Sequence, residues 1–210
     1  MMRYFLLLLG LTGFGRLIGQ QISDPIPKLE LRLAVGLQRP KLISQYNPAD
    51  LLVVKDPMRF RPQMALGLRY YPLKHWWVAY QVGWAQQGSS RPYQYTTIQN
   101  LQNSLLFGFS ARHSRRVVFE AFTGIGGNLL LSAAYHSTGE ESIRASSYLR
   151  RFTWYLPIGL GLKTQVRPDT YLGIQSQMEF GLRNLSRGTA ASAYQLSLPA
   201  FNLTLSKKLQ

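Results

Sequence analysis

From Leu29 onward, apolar and polar residues alternate one for one over stretches of about ten residues. In LELRLAVGLQ (29–38), Leu29, Leu31, Leu33, Val35 and Leu37 share one face, while Glu30, Arg32, Ala34, Gly36 and Gln38 share the other. A side-chain period of two marks a β-strand lying between two unlike environments. WWVAYQVGWAQ (76–86) repeats it, with Trp76, Val78, Tyr80, Val82 and Trp84 opposing Trp77, Ala79, Gln81, Gly83 and Ala85. The same grammar predicts strands over 64–71, 97–111, 117–131, 150–165, 170–183 and 194–208, making eight. In the last of them the apolar phase passes from Tyr194, Leu196 and Leu198 to Phe201, Leu203 and Leu205 across Pro199. That shift predicts a bulge where the ladder loses a donor.

The connections are short at one end (PLKH, RHSRR, VRPD) and longer at the other, with the longest at 39–63 and 132–149. Short turns opposite long loops, with an even strand number, predict an all-β fold: an eight-stranded antiparallel up-and-down transmembrane β-barrel with both termini on the periplasmic side. The apolar face carries no charge through the middle of any strand; the opposite face collects Gly, Ala, Ser, Gln and the charges. Lipid outside and a polar lumen inside fit that division. Periodicity alone also admits the inverse, a soluble periplasmic barrel holding an apolar ligand. Trp76 and Trp84, eight residues apart on one face, span about 26 Å along a strand and about 20 Å along the normal of a tilted barrel, close to the ~25 Å apolar band. Trp76, Trp84, Trp154 and Tyr194 are therefore expected at the membrane interfaces.

Composition sharpens the picture. The 210 residues carry 24 Lys plus Arg against 9 Asp plus Glu, a formal charge of +15 that calls for an anionic surface. No Cys is present, which excludes a disulfide scaffold, a thiolate metal site and a lipidated cysteine. Arg3 followed by the apolar run at 4–15 predicts a signal peptide over 1–20, leaving 21–210 as the barrel domain. As a helix the run would span about 18 Å, short of a ~30 Å bilayer core.

Charges at inward positions are the candidate chemistry. Glu30, Glu120 and Glu179 share the interior with Arg32, Arg69, Arg151, Lys163 and Arg183. An eight-stranded lumen is only wide enough for side chains, so these groups must neutralise one another in a packed plug. Glu30 and Arg69 form the best single pair, since the first two strands are neighbours. A proton or ion path is the functional alternative. His136, with Ser137, Glu140 and Glu141 in the loop at 132–149, is the one group resembling the rim chemistry of barrel enzymes that modify lipid A or peptides. Adjacent loop residues seldom converge on a reacting atom, so the expectation is a non-enzymatic barrel with no catalytic residue, no metal site and no cofactor. Gly124, Gly126 and Gly127 are read as small inward residues or a bend. The cations divide between the turn end (Lys74, Arg112, Arg115, Arg116, Arg167, Lys207, Lys208) and the loop end. At the loop end, Arg39, Lys41, Arg59, Arg61, Arg91 and Arg187 either contact lipopolysaccharide phosphates or are simply solvated. With aromatics on the lipid face and no single basic stripe, nucleic acid is not an expected partner. Leu51–Val54, between Pro48 and Pro57, reads as a partner-binding surface or a cap over the lumen.

LGLRYYPL leading through a tight turn to VGWAQQGS, then NSLLFGFSAR, FEAFTGIGGNLLLSA and MEFGLRNLS, resemble the PorT-like family of small eight-stranded outer-membrane β-barrels. The resemblance covers roughly 28–210 and carries no catalytic signature. It implies location in the outer membrane of a Gram-negative bacterium, with lipid and lipopolysaccharide as surroundings. For some members it implies a part in type IX secretion beside envelope or secretion proteins. The chain departs from common barrel practice in ending Lys207, Lys208, Leu209, Gln210 instead of on an aromatic residue.

Overall fold

Ten strands follow one another along the chain, and no helix intervenes among the described residues. They are β1 (Leu29–Gln45), β2 (Arg61–Tyr70), β3 (Trp76–Gln87), β4 (Ser90–Arg91), β5 (Gln94–Arg112), β6 (Val117–Ser137), β7 (Ile143–Arg144), β8 (Phe152–Arg167), β9 (Thr170–Gly181) and β10 (Ser192–Leu209). The computed structural model describes residues 29–45, 60–88, 90–91, 94–112, 114, 116–137, 143–144, 149–182 and 192–209. The expected signal peptide and the Leu51–Val54 segment lie outside them.

Neighbours pair in the order β4-β5-β3-β2-β1-β10-β9-β8-β6-β7, and a further β5–β6 pairing joins the sheet to itself. Since β4 and β7 are two-residue additions to the ladders of β5 and β6, the wall is a closed eight-stranded antiparallel barrel. Closure matters because an open strand edge has no water to bond within hydrocarbon. The bulge falls at Pro199: the register slips between Ser197 and Ala200 against β9, and between Leu37 and Arg39 against β10.

Strand lengths differ from the alternation-based expectation at the loop end. β5 and β6 run to 19 and 21 residues, and β1 and β10 to 17 and 18, against 10 for β2 and 12 each for β3 and β9. The two long ladders stand on opposite sides of the barrel. Beyond the lipid, strand extent is set by backbone pairing, which needs no apolar face, so alternation understates it. His136 consequently sits within β6, paired with Tyr95, and not in a loop.

The two faces divide as their chemistry demands. Outward rows such as Ile158, Leu160 and Leu162, or Phe201, Leu203 and Leu205, are bare, with Leu160 66% and Phe201 65% exposed. A continuous apolar girdle of this kind has no place in water. Inward, Trp77 is 1% exposed, and a Cβ on Gly108 would lie 2.1 Å from its ring; one on Gly126 would lie 2.2 Å from Tyr155. Inward glycines thus make room for inward aromatics. At Gly88 (φ 144°) the chain takes a conformation that favours glycine, where β3 gives way to β4.

Replacing Leu160 by Arg puts a charge on the girdle at the middle of β8. The expected loss is about 2–4 kcal/mol in denaturant titrations of vesicle-inserted protein. Gly108→Val, which drives a side chain into Trp77, is expected to cost about 1–3 kcal/mol in the same assay.

Candidate functional site

The inward rows of four strands deliver charged groups that meet in the lumen. Glu30 comes from β1 and Arg69 from β2, directly paired across the ladder; Glu120 comes from β6 and Lys163 from β8. Each cation touches both carboxylates. Arg69 Nη1 lies 2.5 Å from Glu120 Oε1 and 3.5 Å from Glu30 Oε1, while its Nη2 donates to Glu120 Oε2 at 3.1 Å. Lys163 Nζ lies 2.9 Å from Glu30 Oε2 and 2.9 Å from Glu120 Oε1. The expected Glu30–Arg69 pair therefore exists, but the shorter, forked contact of Arg69 is to Glu120. All four side chains are buried.

Two aromatic residues complete this cluster. Tyr71, just past β2 and two residues from Arg69, donates its hydroxyl to Glu30 Oε2 at 2.9 Å and accepts from Arg69 Nη1 at 3.1 Å. Trp77 lies under the Arg69 guanidinium, 3.8 Å from carbon Cζ to ring centroid. A cation desolvated against an aromatic face recovers part of its lost hydration. Alternation had already turned Trp77 inward; that Tyr71 and Trp77 serve the charges could not be read from their spacing.

Arg32 and Glu179 stand apart from that cluster and are joined to each other by amides. Arg32 Nη2 donates to Gln175 Oε1, Gln175 Nε2 to Gln177 Oε1 at 3.0 Å, and Gln177 Nε2 to Glu179 Oε1 at 3.0 Å. Gln102 Nε2 adds a bond to Glu179 Oε2 at 3.2 Å. Gln175, Gln177 and Glu179 are alternate residues of β9, so one inward row of one strand builds the whole relay. Among the described residues the interior holds three cations and three carboxylates, with Glu179 served by amide donors and no direct cation.

Side chains fill the remaining lumen. Gln63 donates to Asn202 at 2.7 Å, Asn100 to Gln87 at 2.5 Å, and Gln38 to the Gln86 carbonyl at 2.9 Å. The gap between Gln63, Gln102, Gln177 and Asn202 measures about 10 Å³, at the lower limit for a single water. At this level the lumen is packed with side chains.

Several expected positions fall elsewhere. Arg151 is exposed in the bend before β8 and does not enter the interior, because the strand begins two residues later than alternation suggested. Arg183 lies outside the described residues, as do Arg59 and Arg187. Trp76 and Trp154 face outward, 56% and 44% exposed, each packed edge-on against a phenylalanine, Phe109 and Phe152. Trp84 shares their face but is half-buried. Tyr194, Lys41 and Arg91 lie on paired strands, their side chains outside the described set. Arg39, within β1, and Arg61, the first residue of β2, are partly exposed.

No family model matches the chain, and no curated protein does. Among solved structures, neisserial surface protein A (NspA) is similar with a TM-score of 0.57 at 8% identity, over 89% of this chain and all of that one. The likeness is one of fold. Ail, the attachment invasion locus protein of Yersinia pestis, follows at a TM-score of 0.41 and 14% identity, over 83% of this chain and 97% of that chain. The outer membrane protease OmpT of Escherichia coli stands at 0.38 and 6%, over 90% and 99% respectively.

Glu120→Ala strips Arg69 and Lys163 of a shared buried partner and is expected to cost about 3–5 kcal/mol of stability. Glu179→Gln keeps an acceptor for Gln102 and Gln177 while removing a buried charge; it should leave the urea midpoint unchanged or raised. A Glu179→Gln loss equal to that of Glu120→Ala would reveal a cation bound to Glu179.

Proposed function

We infer that the protein is an integral outer-membrane β-barrel without enzymatic activity, serving the envelope as a structural, secretion-associated or surface-interacting element. The observation that carries this reading is the pairing of a bare apolar girdle with a lumen closed by a neutralised charge cluster. Such a molecule offers surfaces for function, among them the girdle, which holds it in lipid, and the loop end, where the long β1–β10 and β5–β6 ladders rise. A lumen packed with side chains among the described residues points the activity to surfaces rather than to transport. The likeness in fold to NspA, a surface protein by name, is in keeping with this. A secretion role rests on the PorT-like resemblance of the strand motifs. Arg39 and Arg61 at the loop-end margin are suited to lipopolysaccharide phosphates.

The test is fractionation followed by electrophoresis of unboiled and boiled protein. The expected result is a heat-shifted band in the outer-membrane fraction; a soluble protein with no shift would return the apolar face to the interior of a ligand-binding barrel. Purified protein in planar bilayers is expected to show no stable conductance. His136→Ala is expected to leave lipid A mass spectra and peptide cleavage unchanged, and a change in either would place an enzyme at that rim.

A further inference from the structure

The turn end of the barrel carries a ring of cations. Lys74 lies in the β2–β3 turn, Arg112 and Arg116 flank the β5–β6 turn, Arg167 opens the β8–β9 turn, and Lys207 and Lys208 end β10. Lys74, Arg116, Arg167 and Lys207 are exposed, and Asp169 is the one acid beside them among the described residues. These positions divide among all four quadrants of the rim, because the β2–β3, β5–β6 and β8–β9 turns and the β10–β1 seam are evenly spaced around the closed sheet. An anion that meets them all must itself surround the barrel.

Lys207 says what that anion is. It continues the outward row of Phe201, Leu203 and Leu205 and is followed there by Leu209, so its Cα stands on the hydrocarbon face. Its ladder partners are Leu31, also outward and exposed, and Thr170. On the outward row of the β1–β10 seam the next cation is Arg39, paired with Leu198. Between them lie only Leu33, Val35 and Leu37 on β1, which places the two about 26 Å apart along the strand and about 20 Å apart along the normal of a tilted barrel, comparable to the ~25 Å apolar band. A lysine at that margin extends its stem along the girdle and delivers its ammonium to the phosphate plane. Tyr70 and Trp76, outward and about half exposed at the same end, mark the same interfacial level.

We propose that this rim is a binding annulus for anionic phospholipid headgroups of the phosphatidylglycerol type, held by Lys74, Arg116, Arg167 and Lys207 at the turn-end face of the membrane. The inference rests on the membrane reading above. Short turns mark the periplasmic side of such barrels, so the leaflet concerned is the phospholipid one. Lys208, half-buried with its ammonium 5.3 Å from the Tyr171 ring, stands behind Lys207 and adds positive potential.

The experiment uses the full barrel in phosphatidylcholine vesicles doped with spin-labelled phosphatidylglycerol or spin-labelled phosphatidylcholine, reading the motionally restricted fraction of each. The expected result at low salt is a severalfold preference for phosphatidylglycerol that shrinks in 1 M NaCl. In the K74Q/R116Q/R167Q/K207Q variant, checked for its heat-shifted band, the preference should fall to about one. Arg39→Gln with Arg61→Gln, at the opposite margin, should retain most of it. Equal restriction of both lipids by the wild type would overturn the proposal while leaving the membrane reading intact. So would a preference unchanged in the rim variant but lost in the opposite-margin variant. No restricted lipid of either kind would overturn the membrane reading and the proposal together.

Discussion

The forked contact between Arg69 and Glu120 joins strands three places apart in the eight-stranded wall, and much of the lumen is arranged around it. Neither group can reach water from inside a closed eight-stranded wall, so each must find its countercharge there or remain desolvated at a cost of several kcal/mol. Lys163 and Glu30 extend the pair to a square in which every cation meets both acids. Tyr71 and Trp77 then occupy the hydrogen-bonding and aromatic positions that a square of charges leaves open. The glycine opposite Trp77 follows from this, since any side chain at Gly108 would displace the indole that backs Arg69.

Arg32 and Glu179 extend the same logic without direct contact. Two glutamines of β9 orient their amides head to tail between the guanidinium and the carboxylate. Amides polarise without carrying formal charge, so the interior is balanced over a longer distance than a salt bridge spans. An amide chain is also a poor proton conductor, since relaying a proton through it requires a high-energy tautomer. The arrangement therefore favours the plug over the proton path that inward charges would otherwise invite.

A filled interior moves the search for function to the surfaces. The girdle commits the middle of the wall to lipid, and the unequal strand lengths make the loop end into two opposed ladders. At the turn end, the cations lie where aromatic residues give way to headgroups. Among the described residues the lumen holds as many cations as carboxylates, so the described basic excess lies outside it.

Alternation alone determined the eight strands of the wall, the direction most described side chains face, the bulge at Pro199 and six members of the interior network: Glu30, Arg32, Arg69, Glu120, Lys163 and Glu179. These follow from a period of two, which acts locally and reports directly on the contrast between lipid and lumen. It could not determine which charge meets which, because partners such as Glu30 and Lys163 are 133 residues apart and are brought within reach by closure of the sheet. Nor could it assign the amide bridge at Glu179 or the exposure of Arg151, which depends on the residue at which β8 begins. The rise of β5 and β6 past the girdle was equally hidden, since pairing in water requires only backbone partners. Only the closed tertiary structure decides these points, because each depends on the distance across the barrel and not on the distance along the chain.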